Sequence, residues 1–148
     1  MRIQVQEDIF DPGAVLTDFS AGRTDMGAVV TFTGVVRDTG DRQLQAMEIE
    51  HYPGMTEAAL TSIAERAVER WSLGDVLVIH RHGHLVPGEV IMMVATAARH
   101  RRDAFEAADF LMDYLKSRAP FWKREVTSDG DASWVEAKDD DEAALERW

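Results

Sequence analysis

Three groups of side chains in this sequence have types and spacings that could carry chemistry. His80, His82 and His84 recur every second residue. On one strand they would share a face, and imidazoles on a shared face bind zinc or copper. Gly83 and the run Leu85-Val86-Pro87-Gly88 point the other way, to the polar end of a strand. The second group is Arg99-His100-Arg101-Arg102, followed by Asp103, where a strand gives way to a helix. Free N–H groups and the positive end of the helix dipole favour an anion there. His100 and Arg101 would complete a phosphate pocket that Arg37, at the end of another strand, can join. The alternative is a set of exposed loop cations with Asp103 as the helix cap. The third group is Lys116 and Lys123. Lys116 lies one turn after Met112 on the flank of an apolar stripe, so it reaches a pocket edge rather than the core. Phe121, Lys123 and Glu125 alternate onto one strand face. A lysine beside cations or apolar walls has a lowered pKa and can act as acid, base or nucleophile, although most lysines simply lie on the surface. No Ser-His-Asp order, Walker loop or GxGxxG fingerprint is present.

The elements that must position these groups follow from the pattern. Ile3 to Glu7 alternates as a short strand. Asp11-Pro12 caps and starts a helix that runs to about Ala21-Gly22. Gly27 to Arg37 is β-branched and reads as a long strand, with Gly34 marking a bulge or a close backbone approach. Asp38 to Arg42 reads as a hairpin loop. In Leu44 to His51, strict alternation would put Leu44, Ala46, Glu48 and Glu50 on one face and Met47 and Ile49 on the other. A helix is expected over Thr56–Trp71, strands over Val76–His82 and Val90–Ala98, and a third helix from about Asp103 to Arg118, ended by Pro120. Phe121–Val126 and Ser133–Val135 complete the strands. Hairpin-length links favour a mixed α+β fold with a mostly antiparallel sheet and three main helices. Residues 1–138 read as one domain and 139–148 as an acidic tail that could form a short helix.

Composition excludes several classes. A chain of 148 residues is of single-domain length. Its net charge of −11 argues against generic nucleic-acid binding and against anionic membranes. The charge is uneven: residues 99–124 carry a net of +3, while residues 1–98 and 125–148 each carry −7. No targeting segment or membrane-length apolar run is seen, which makes a cytoplasmic location the default expectation. The chain has no cysteine, and so no disulfide, thiolate ligand or cysteine-borne persulfide.

Several stretches taken together resemble the large, catalytic subunit of molybdopterin synthase. They are Gly27-Ala-Val-Val-Thr-Phe32-Thr-Gly34-Val-Val-Arg37, Glu50-His51-Tyr52-Pro53-Gly54-Met55, His80-Arg81 with Gly83, His100-Arg101, and Ala104-Phe105-Glu106-Ala107. The most specific is Met112-Asp-Tyr-Leu-Lys116-Ser-Arg-Ala-Pro120-Phe-Trp-Lys123-Arg-Glu125, followed by Trp134-Val-Glu-Ala. The likeness spans about residues 3–138. It implies an α/β-hammerhead fold and the conversion of cyclic pyranopterin monophosphate to molybdopterin by insertion of two sulfur atoms. The sulfur would arrive as a thiocarboxylate on the C-terminal Gly-Gly of a small ubiquitin-like partner subunit. Two large subunits would form the centre of a heterotetramer, and no cofactor or metal is expected. The resemblance assigns Lys116 and Lys123 to catalysis, and Arg37, His100 and Arg101 to the anion pocket. Phe32, Met112 and Glu125 would line or support the site. Lys138 stands where the family often has an arginine, and a lysine there keeps the charge but loses bidentate geometry.

Overall fold

The computed structural model describes residues 1–38, 40, 44–135 and 139–148. Its elements run β1 (Arg2–Gln6), α1 (Pro12–Ser20), β2 (Ala28–Val35), β3 (Leu44–His51), α2 (Met55–Trp71), β4 (Asp75–Arg81), β5 (Gly83–Leu85), β6 (Val90–Ala98), α3 (Arg101–Ser117), β7 (Phe121–Thr127), β8 (Ala132–Trp134) and α4 (Asp139–Ala144). A 3-10 turn, Leu145–Arg147, closes the chain. Two four-stranded sheets form, ordered β1-β4-β6-β2 and β5-β3-β7-β8. The pairing of β1 with β4 is parallel, and the other pairings are antiparallel. This is the α+β, antiparallel-rich architecture expected, with three main helices and a short fourth. Part of the expected hairpin loop at 38–42 lies outside the described residues.

The strands β4 and β6 are nearly continuous apolar runs because both of their faces are covered. Val76, Val78, Met92 and Val94 face the main core, which the first sheet shares with α2, α3 and the inner face of the second sheet. Leu77, Ile79, Met93, Ala95 and Ala97 face the opposite way, against Phe19 of α1. The small side chains Ala104, Ala107 and Ala108 let α3 lie close against this surface. Thr96 Oγ1 donates to the Ala104 carbonyl at 2.8 Å and ties the helix to β6.

Three local details differ from the sequence pattern. First, Leu44 and Ile49 both reach the main core although their odd spacing should separate them. The ladder shifts register between Leu44 and Ala46, and this bulge changes the phase of the strand. Second, β4 stops at Arg81 and the chain crosses at His82 to begin β5 in the other sheet. Third, α3 begins two residues before Asp103. His100 is its cap position, and the Ala104 N–H bonds to the His100 carbonyl at 3.3 Å. Asp103 instead sits in the first turn, where its charge suits the helix dipole.

The acidic tail is docked. Trp148 packs edge-on against Trp71 and Phe110, and its indole N–H donates to Asp113 at 2.6 Å. Arg147 bridges Asp109 and Asp113. The Ser117 hydroxyl donates to the Asp141 carbonyl at 2.8 Å, which sets α4 beside the end of α3.

Candidate functional site

A cavity of about 430 Å³ opens where the two sheets and the end of α3 meet. Each wall has a reason to be where it is. Phe32 to Val35 come from β2, the edge strand of the first sheet, and Val36 and Arg37 follow directly after it. That strand is irregular at Gly34/Val35, as Gly34 foretold. A Cβ at Gly34 would lie 3.2 Å from Ile91 Cγ2 and Met92 Cγ, so glycine permits the close approach of β2 to β6 that shapes this wall. Met112, Leu115 and Lys116 come from the last turns of α3, and the one-turn spacing of Met112 and Lys116 puts both on the cavity side.

Lys123 and Glu125 come from β7, which returns sharply after Pro120. The return is anchored. The buried Thr56 hydroxyl, at the start of α2, donates to the Pro120 carbonyl at 3.1 Å and accepts from the Tyr52 N–H at 2.9 Å. The Val135 N–H donates to the Lys123 carbonyl at 2.8 Å, and Ile49 of β3 pairs with Lys123 on the other side. The backbone under this lysine is therefore held from both neighbouring strands.

Six residues proposed from the sequence thus converge: Phe32, Arg37, Met112, Lys116, Lys123 and Glu125. Lys116 and Arg37 are exposed, at the mouth, whereas Lys123 is half-buried. Burial pushes the Lys123 amine below the ordinary lysine range and the nearby Lys116 charge adds to this, with Asp141 of α4 opposing. An amine so depressed releases its proton more readily than an ordinary lysine, which suits it to proton transfer.

His100 and Arg101 do not reach this cavity within the same chain. They lie exposed at the start of α3, with Lys116 in its last turn. Fifteen residues of helix separate Arg101 from Lys116, about 22 Å at 1.5 Å per residue. The stretch with net charge +3 is therefore not one patch but two ends of a rod. The close approach of Gly27, where a Cβ would fall 2.6 Å from the Arg99 carbonyl, holds the far end against β2. Lys138 lies outside the described residues.

The three histidines part company. His80 is buried in the first sheet, His82 packs at a tilt against His51 with centroids 4.2 Å apart, and the exposed His84 faces Glu48 from the second sheet. The chain changes sheets at His82, so the shared face required for a common metal never forms. Among the described residues no three His, Cys, Asp or Glu side chains converge as a metal-binding group.

His80 enters the cavity wall, a place the residue pattern did not assign to it. Met47, Ile91, Met92 and Leu115 join it there. For Met47 the signal was present in strand alternation with Ile49. For His80 the signal was its parity with the core residues Val76 and Val78. Burial, and then the Lys123 charge, push its imidazole down to about 3, so it is neutral at physiological pH.

An apolar wall, two amines and a guanidinium at the rim suit an anionic organic substrate whose reacting centre gains or loses protons. Among the described residues no helix is long and apolar enough to cross a membrane. Comparison with known proteins adds the family. Residues 5–118 match the model of the MoaE protein family. The molybdopterin synthase catalytic subunit of Cereibacter sphaeroides is 64% identical over 148 residues, covering 100% of both chains. The molybdopterin biosynthesis MoaE protein from Burkholderia ambifaria is 50% identical with a TM-score of 0.84, covering 99% of this chain and 97% of that one. A complex of subunits 1 and 2 of the molybdopterin-converting factor from Helicobacter pylori has a chain alike in fold, with a TM-score of 0.75 at 18% identity over 93% of this chain and 90% of that one.

Proposed function

The chain belongs to the MoaE family, enzymes of the molybdopterin synthase catalytic-subunit class, and from that premise we propose that it transfers sulfur to cyclic pyranopterin monophosphate to form the dithiolene of molybdopterin. The observation that carries this reading is the convergence of Lys116, Lys123 and Arg37 on one cavity with an apolar floor. A chain without cysteine must borrow its sulfur. The donor in this reading is the C-terminal thiocarboxylate of a small ubiquitin-like partner, whose Gly-Gly tail enters the cavity. The two-subunit composition of the Helicobacter pylori complex is in keeping with such a partner.

In this scheme Lys116, at the rim, binds the thiocarboxylate carbonyl and the substrate. Lys123, deeper and with its amine depressed, moves protons or stabilises the thio-anionic tetrahedral intermediates. Phe32 and Met112 supply apolar contact, Glu125 supports the lysine face and Arg37 faces the phosphate. His100 and Arg101 are proposed to serve the cavity of a second copy, because about 22 Å of helix separates them from their own. That makes a homodimer the functional core of a heterotetramer. Lys138 is proposed to add a further cation to the substrate site.

Reconstitution with precursor and thiocarboxylated partner, scored for molybdopterin, tests the reading. Lys116→Ala should lower product by about 100-fold or more while leaving the fold and partner binding intact. Full activity in that variant would sink the lysine assignment.

A further inference from the structure

The C-terminal tail is clamped at its far end and reaches the site at its near end. Trp148 packs edge-on against Trp71 and Phe110, and its carbonyl accepts from the Arg70 guanidinium at 2.9 Å. Arg147 bridges Asp109 and Asp113 of α3. Within α4 the Asp141 carbonyl accepts from the Ser117 hydroxyl at 2.8 Å, and Glu142 pairs with Arg118 at 2.6 Å. A helix of six residues is too short to form on its own propensity, so these contacts hold it in place.

Held in this way, α4 brings Asp141 to the two lysines. A hollow of about 360 Å³ continues the cavity, and Asp141 lines it together with Lys116, Lys123 and Glu125. Asp141 and Lys116 also share a second groove, with Phe32 and Met112. The neighbouring carboxylates are engaged elsewhere: Glu106 by Arg102, Asp109 and Asp113 by Arg147, and Glu142 by Arg118. Among the described residues no arginine pairs with the Asp141 carboxylate, and no carboxylate closes an ion pair with Lys116 or Lys123. The charge of Asp141 therefore reaches the lysines across the open cavity and not through a closed pair.

We propose that Asp141 is a positioning residue of the lysine site: the clamped tail holds its carboxylate across the cavity from Lys116 and Lys123, where it serves as their counter-charge. This rests on the part given to the lysines above. Arg37 after β2, Lys116 of α3 and Lys123 of β7 bring three cations to the cavity, against the carboxylates of Glu125 on β7 and Asp141 on α4. His80 of β4, in the same wall, is neutral. Burial and the Lys116 charge press Lys123 to give up its proton, and Asp141 opposes both. Without that carboxylate the resting site would carry more unbalanced positive charge, and Lys123 would lose its proton sooner. With it, the amine keeps a proton to deliver during the reaction. A counter-charge at a distance also leaves both lysines free to turn to an incoming anion. The cost is affinity, because Asp141 repels that anion.

Lysine-selective NMR titration of the full chain tests this, following the Lys123 side chain, with Lys123→Arg to assign its signal. Asp141→Asn keeps the backbone contact to Ser117 and removes the charge, and the Lys123 midpoint should fall. Asp141→Glu should return it to near wild type. Asp140→Asn removes the same charge from a neighbour that lines neither hollow, and should leave the midpoint in place. Trp148→Ala keeps Asp141 but loosens the clamp, and should lower the midpoint as Asp141→Asn does. Arg147→Gln serves in its place should that variant not fold. In reconstituted product formation, Asp141→Asn should lower the KM of the anionic precursor about threefold and move the alkaline limb of the pH profile to lower pH. A Lys123 midpoint unmoved by Asp141→Asn, or lowered equally by Asp140→Asn, overturns the proposal, and one unmoved by Trp148→Ala overturns the clamp. If the midpoint falls as expected while Lys123→Ala still forms product, the counter-charge stands and the catalytic reading of Lys123 fails.

Discussion

Lowering the pH from 7 to 4.5 should destabilise this protein through His80 by an amount that can be worked out in advance. The imidazole is held at about 3 in the fold, against 6.5 for an ordinary histidine. Between those values the unfolded chain binds a proton that the folded chain refuses, so stability falls as pH falls through 6.5 and levels off near 3. Linkage puts the loss between pH 7 and pH 4.5 on the order of 2–3 kcal/mol from this one residue. Glutamine at position 80 does not titrate, so His80→Gln should lack that increment while keeping every carboxylate contribution it shares with the wild type. The assay is urea denaturation of both proteins at both pH values, at one protein concentration because assembly would shift the midpoint. The wild type should lose roughly 2–3 kcal/mol more than the variant. Equal losses would mean that the ring takes up its proton in the folded state. The burial reasoning would then be wrong.

Two further predictions test the cavity walls and the second copy. Gly34→Ala places a methyl group against Ile91 and Met92 where the gap is 3.2 Å; it should cost about 1–3 kcal/mol, and an unchanged thermal midpoint would show that β2 can move away freely. Lys116→Ala and Arg101→Ala copies, each inactive alone, should recover about a quarter of wild-type product formation when unfolded together and reassembled, because half of the dimers would be mixed and each of those would hold one intact site. A mixture that stays inactive would place Arg101 outside the second copy's cavity.

Much of the fold was legible because periodicity reports burial directly. The stripe Ala104, Ala107, Ala108, Leu111 and Leu115 named the inner face of α3, and Pro120 marked its end. Gly34 announced the irregularity of β2. What misled were the places where one backbone residue changes phase or sheet. The bulge between Leu44 and Ala46 put Leu44 and Ile49 on the same side of β3. The crossing at His82 split three evenly spaced histidines among the core of one sheet, a corner and the face of another. Phe110 was absent from the expected stripe because α2 and Trp148, which cover it, are distant in sequence.

The sequence by itself determined the chemistry available: two lysines, Arg37 and a His-Arg pair, no cysteine, and an ordered set of motifs specific enough to name the family. Those follow from residue type and local spacing, which need no fold to be read. Tertiary structure alone decided which of these groups meet. It joined β2, α3 and β7 around Lys116 and Lys123, sent His100 and Arg101 to the opposite end of α3, and brought His80 into the wall. The reason is that burial and like charge act through space. A lysine's amine is depressed, or a histidine kept neutral, by neighbours from other elements, and no spacing along the chain records them.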